Sequence, residues 1–193
     1  GFASAVDGRI DKIVQNLGDV KPTFMCGAPR IFEKVRGAVM TGNTGLKAKI
    51  ARWAFSVGYE SIDDRLAGRE LKGALAVKYK IADKLVFSKL KERLGGRMRF
   101  MISGSAKLSP QVQRWFYGAG ILIVEGYGAT ETSAIASLDL PEDPHFGSIG
   151  PVLPGMAAKP GEPQIGPEML EQPANAREQR WRDSRHNASH LIQ

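Results

Sequence analysis

Residues 98–124 read MRFMISGSAKLSPQVQRWFYGAGILIV, and the changes of pattern inside them decide the fold. Met98 to Ser103 is a short apolar-rich run that predicts a strand. Gly104 to Leu108 is a small-residue loop, and Ser109-Pro110 is an N-cap and first-turn pair opening a helix to about Tyr117. Gly118 and Gly120 break that helix. Ile121 to Val124 is then four consecutive apolar residues, the pattern of a strand covered on both faces. Strand, helix, strand predicts an α/β layer on a parallel sheet, whose ligands gather beyond the carboxyl ends of the strands. Two loops occupy such ends: Gly104 to Leu108, and Glu125 to Thr132.

Working outward toward the start, Val6, Ile10, Ile13, Val14 and Leu17 recur at helical spacing and are closed by Gly18, and Lys21 to Gly27 predicts a short strand. Pro29 suits the first turn of a helix carrying Ile31, Phe32 and Val35, since its missing N–H would have no partner there. Thr44 can cap a longer helix with the apolar face Leu46, Ile50, Trp53, Ala54 and Val57, ended near Gly68. From Leu71 to Leu94 the positions Leu75, Ile81, Leu85, Leu90 and Leu94 predict one basic amphipathic helix, stopped by Gly95-Gly96. Beyond Lys159 the apolar periodicity ends, so residues 159–193 are expected to be disordered.

The 193 residues carry a net charge of +7 at pH 7 and a single cysteine. One thiol excludes an intrachain disulfide and any multi-thiolate zinc site; Cys26, with no histidine near it in sequence, reads as a small core residue rather than a nucleophile. No apolar run approaches the roughly 18 residues of a spanning helix. The chain opens at Gly1 without Met and without a basic-then-apolar leader, from which an internal fragment in the cytoplasm is expected. Nine basic residues against Asp83 and Glu92 lie between Lys72 and Arg99, which equals the whole net charge. Such a stripe can meet an anionic membrane through charge, giving a non-catalytic, peripheral-membrane alternative. It lacks the interleaved aromatics of a nucleic-acid surface, so no nucleic-acid partner is expected.

The densest chemical signal is GYGATETS, Gly126 to Ser133. Its glycines let backbone N–H groups approach an anion, Thr130 offers a hydroxyl to phosphate, Glu131 can hold a hard divalent cation, and Tyr127 offers a ring face. These are the needs of a bound nucleotide. The alternative is a glycine-rich turn leading into a helix capped by Thr130, with Glu131 in its first turn. The loop Ser103 to Ser109 can line a planar ligand or be an ordinary connection. His145, in the loop Asp139 to Gly147, reads as solvent-facing; His186 and His190 lack a third metal ligand, and the glycosylation-like Asn187-Ala188-Ser189 has no secretory leader to give it meaning.

The order of these segments, a strand ending SGSAKLSP, a helix ending WFYGAG, a strand, EGYGATETSA and then GSIGPVLPG, resembles the central part of the AMP-forming adenylating enzymes. Upstream, VKPTFMCGAPRIFEKV resembles the long-chain fatty acid to CoA ligase branch. The likeness covers about residues 1–158, a partial large N-terminal domain with a helical insert near 44–95. It implies ATP, magnesium, CoA and a fatty acid as ligands, with acyl-adenylate and then acyl-CoA as products. It also implies Tyr127 against adenine, with Gly104, Ser105 and Ala106 on the other side. Thr130 would meet the α-phosphate and Glu131 the magnesium ion, these two being the catalytic pair. Gly126 and Gly128 would border the acyl channel, with Pro29 on its wall. The family's Ser/Thr/Gly-rich phosphate loop, its ribose aspartate and its C-terminal lysine have no counterpart in these residues, so the chain alone is expected to be inactive.

Overall fold

The computed structural model describes residues 3–5, 12–42, 44–132 and 134–154. The readings made for Val6, Ile10, the segment 159–193, His186, His190 and Asn187 lie outside them. Four strands, β1 (Phe24–Gly27), β2 (Phe100–Ser103), β3 (Leu122–Ala129) and β4 (Ala134–Leu138), form one sheet in that order. β1 pairs with β2 and β2 with β3 in parallel, as the strand-helix-strand pattern requires, whereas β4 returns antiparallel along β3. Sequence reading had no strand at β4, although Ala134 to Leu138 is apolar except for Ser137.

Helices α1 (Ile13–Val20), α2 (Pro29–Thr41), α3 (Gly45–Glu60), α4 (Ile62–Leu66), α5 (Gly73–Ala82), α6 (Ser88–Arg93) and α7 (Pro110–Gly118) supply the second layer. α1 runs through Gly18 and stops instead at Lys21, whose left-handed φ of 49° lets its N–H return to Leu17 O. α2 likewise continues through Gly37 to Thr41. Pro110 occupies the first turn of α7 and Pro29 that of α2.

Strand alternation sorts the sheet into two faces. Met25, Met101 and Ile123 are in register and turn toward the helices, joining a core with Phe32, Phe55, Phe87, Trp115 and Phe116. The ring of Phe55 stacks on Trp115 with centroids 4.3 Å apart. The opposite face carries Phe24, Phe100, Cys26 and Ile102, and Phe24 stacks on Phe100 at 6.2 Å. Cys26 is therefore exposed rather than part of the core. It alternates with core-facing Met25 and Gly27 on an edge strand, a placement that neighbouring residue types do not reveal.

Two predicted apolar faces are rotated. In α3 the buried positions are Ala51, Ala54, Phe55, Val57 and Gly58, while Leu46 and Trp53 are exposed. Gly58 and Gly118 let α3 and α7 touch: a Cβ on Gly58 would stand 2.9 Å from Gly118 O. Between α5 and α6 the residues Asp83–Phe87 form a π-helical turn. The buried positions step from Ala82 to Phe87, five residues on, and then to Leu90 and Leu94. A wider turn shifts the phase of the helix face, so Ile81 and Leu85, expected inside, lie outside.

Helices α3–α6 are tied back to α7 by polar contacts as well as packing. Arg65 Nη1 donates to Tyr79 Oη at 3.0 Å and to Tyr117 O at 2.8 Å, and Tyr79 Oη donates to Gly118 O at 3.1 Å. The same guanidinium lies 4.6 Å from the centroid of the Tyr117 ring, close enough for a cation–π contact.

Candidate functional site

Gly126, Tyr127 and Gly128 lie within β3, not on the loop expected over residues 125–132. Glycine is a poor strand former in isolation; pairing with residues 134–138 overrides that preference here. The chain then makes one 3₁₀ turn, Thr130–Thr132, before β4. No α-helix starts at Thr130, so its reading as a helix cap is replaced by a hairpin tip. Thr132 closes the tip: its Oγ1 accepts from Ala129 N at 2.9 Å and donates to Ala129 O at 2.9 Å. Thr130 and Glu131 are left exposed on it.

The hairpin is irregular at the motif itself. Tyr127 is opposite Ser137 but Gly128 is opposite Ile135, which makes Ala136 the extra residue of a β-bulge. Its carbonyl is used elsewhere, accepting from Leu153 N at 2.9 Å. Gly126 answers to crowding: a Cβ there would stand 3.2 Å from Leu138 Cδ1 and 3.6 Å from Ile102 Cγ2.

The second expected loop folds against this strand. Gly104 N donates to Gly27 O at 3.2 Å, and Leu108 N donates to Glu125 Oε2 at 2.9 Å, so the loop is held at both ends. Ser105 between them takes a φ of 69°, a left-handed conformation uncommon for a residue with a side chain. A Cβ on Gly104 would lie 3.6 Å from Gly126 O. Alternation places Tyr127 on the face of β3 that Glu125 occupies, and that is the face onto which the loop folds. Gly104, Ser105, Ala106 and the exposed Tyr127 are thereby brought to one edge. Pro29 is not brought to the same place. It is buried in the first turn of α2, after β1, and β2 separates β1 from β3.

Three polar side chains missed in the sequence hold the surrounding loops. Glu125, 3% exposed, receives Leu108 N, while its Oε1 has no hydrogen-bond partner among the described residues. Burial raises its pKa, against which Leu108 N and the Lys107 charge work. Asp139, 1% exposed, donates its N–H to Glu125 O at 2.8 Å and accepts from His145 N through Oδ2 at 2.9 Å. Burial pushes its carboxyl up from 3.8 to about 7, in spite of the backbone N–H groups of His145 and Leu140. Gln113 of α7 accepts from Gly147 N at 2.8 Å. The available signal was a carboxylate directly after the run Ile121 to Val124. His145, expected in solvent, is half-buried with its ring nitrogens 3.9 Å from the carboxylates of Asp139 and Asp143.

Among the described residues no cluster of three or more His, Cys, Asp or Glu could hold a metal. Glu131 alone, exposed on its turn, nevertheless fits magnesium, which takes one or two carboxylates and completes its shell with water and substrate phosphates. What the edge offers is a ring face, a strained small-residue loop, a hydroxyl and a carboxylate.

The chain is 36% identical over 155 residues to fatty-acid-CoA ligase fadD11 of Mycobacterium tuberculosis, a match covering 78% of this chain and 27% of that protein. It is 39% identical over 161 residues to long chain acyl-CoA synthetase 8 of Arabidopsis thaliana, covering 80% of this chain and 22% of that protein. The crystal structure of an ATP bound RpMatB-BxBclM chimera aligns over 82% of this chain and 21% of its own, with a TM-score of 0.43 and 22% identity, a likeness that carries no weight here. The chain thus spans about a quarter of the length of these relatives. Residues 2–164 match the family described as AMP-binding enzyme, and the chain belongs to that family.

Proposed function

We propose that this chain forms the nucleotide edge of an ATP-dependent fatty acid to CoA ligase acting on long acyl chains. The observation supporting this most directly is the convergence of the two loops, with Leu108 N on Glu125 Oε2 at 2.9 Å and Gly104 beside Gly126 O. A flat heterocycle can then be held between the exposed Tyr127 ring and the backbone of Gly104, Ser105 and Ala106. Contact through ring faces and peptide planes suits adenine, which offers a large apolar surface and few polar atoms.

In this reading the fatty carboxylate attacks the α-phosphorus of ATP, the bridging P–O bond breaks, and pyrophosphate leaves with its electron pair. The CoA sulfur then attacks the acyl carbon and AMP departs. Attack requires two anions to meet, so the residues at the edge have electrostatic work. Thr130 donates its hydroxyl to an α-phosphate oxygen and fixes the phosphorus in line. Glu131 would hold magnesium, which when bound neutralises phosphate charge. Gly126 and Gly128 would border the channel along which the acyl chain passes, with Pro29 on its wall. Relatives named as fatty-acid and long-chain ligases support the substrate class.

Calorimetry of the 193-residue chain with a non-hydrolysable acyl-adenylate analogue and magnesium tests the assignment. Tyr127→Ala and Glu131→Gln should each weaken binding by about tenfold or more, the scale of one stacking or charge-assisted contact. Chelating magnesium should erase the Glu131→Gln effect. Unchanged affinity in both variants would overturn the reading.

A further inference from the structure

The π turn leaves an outward ridge on α5 and its continuation. Val77 is 61% exposed, Ile81 46% and Leu85 44%, and their spacing of four residues stacks them on one side of the helix. Lys78, Lys80, Lys84 and Lys89 are exposed around them, and among the described residues none of the four stands in an ion pair. The one acidic residue between Gly73 and Lys91, Asp83, is engaged by Lys91 Nζ at 2.7 Å and Ser88 Oγ at 3.2 Å. The face is thus aliphatic at its centre, cationic at its margins, and free of competing anions.

We infer that this face is a docking surface for an anionic lipid bilayer, with Val77, Ile81 and Leu85 entering the headgroup boundary and the lysines pairing with lipid phosphates and carboxylates. Aliphatic side chains between lysines match the two layers of such a surface, apolar below and anionic above. Lysine stems can extend from the ridge while their charges stay at headgroup level. A second copy of the chain matches poorly, because a two-fold contact through this ridge would set lysines against lysines. A polyanionic nucleic acid would engage the lysines but leave the three aliphatic side chains without partners. The inference is independent of the adenylation reading, since no residue of the nucleotide edge takes part.

The test is cosedimentation of the full 193-residue chain with phosphatidylcholine vesicles, with and without phosphatidylserine. The chain should bind the anionic vesicles, and added salt should weaken binding, as screening requires. Replacing Val77, Ile81 and Leu85 together by Ser should reduce affinity at low salt by at least about tenfold. Lys80→Gln with Lys84→Gln should remove most of the preference for phosphatidylserine, and Lys34→Gln on α2 should change neither. All three variants place their substitutions at exposed positions, and circular dichroism is the check that each of them folds. Full binding by the triple Ser variant would overturn the inference, as would equal binding to both vesicle types. A dimer that the triple Ser variant dissolves, without vesicle binding by either form, would assign the ridge to self-association instead.

Discussion

Asp139 makes the stability of this domain depend on pH in a direction opposite to that of a salt-bridged carboxylate. Burial raises its carboxyl from 3.8 to about 7. Between those values the folded chain holds a proton at Asp139 that the unfolded chain has released. Stability therefore falls as pH rises from about 4 to about 7, and is level on either side of that window. The interval of roughly three pH units, at about 1.4 kcal/mol each, puts the full penalty on the order of 4 kcal/mol. That is a large share of the 5–15 kcal/mol that typically separates folded from unfolded states. Asp139→Asn removes the ionisation and retains an amide oxygen to accept from His145 N. The variant should match the wild type near pH 4 and exceed it by up to about 4 kcal/mol near pH 8. Glu125, also raised by burial, contributes in the same direction and should leave a shallower slope in the variant. Urea unfolding followed by tryptophan fluorescence at several pH values measures both profiles, and Trp115 in the core supplies the signal. Parallel profiles for the two proteins would refute the reasoning, because the ionisation would then cost the same in the folded and unfolded chains.

Three further outcomes are expected. Glu125→Ala deprives Leu108 N of its acceptor and should cost about 1–3 kcal/mol, whereas Glu125→Gln retains an acceptor and should cost less; chemical denaturation separates the two. Gly58→Ala places a Cβ 2.9 Å from the Gly118 carbonyl oxygen, and the forced separation of α3 from α7 should cost about 1–3 kcal/mol, read as a lower thermal midpoint. Cys26, exposed on the open face of β1, should react with a thiol reagent in the native chain at nearly the rate seen in denaturant; strong protection would mean that this face is covered.

How much of this was legible beforehand depends on whether the deciding contact was local. The parallel β2-α7-β3 unit could be read because each boundary has its own residue: Pro110 in the first turn of α7, Gly118 and Gly120 after it, and the apolar run from Ile121. The nucleotide motif was visible as a set of residue types, but its placement on a hairpin was not, since only pairing with residues 134–138 makes a strand of Gly126 to Ala129. The convergence of the two loops depends on Glu125 and Leu108, 17 residues apart, and no periodicity records such a pair. The apolar phase of residues 71–94 failed for a different reason. A constant helical repeat cannot anticipate the π turn at Asp83–Phe87: Leu90 and Leu94 after it are buried as that repeat assigns them, whereas Ile81 before it and Leu85 within it are exposed. Exposure of Cys26 likewise depends on which side of the sheet the helices cover.

The sheet register separates two scales of chain closure. Phe100 pairs with Leu122, 22 residues on, whereas Phe24 must find Phe100 across 76 residues. On polymer statistics the longer closure costs only about 1 kcal/mol more, and doubling the intervening segment would add about 0.6 kcal/mol. The equilibrium is thus nearly indifferent to the length of that segment, although the rate at which β1 joins is not. The loop after β2 has one anchor on each scale, Leu108 N on Glu125 within residues 100–138 and Gly104 N on Gly27 O across the long closure, so changing the length of the Gly68 to Lys72 connection leaves the first anchor local while the second waits on β1.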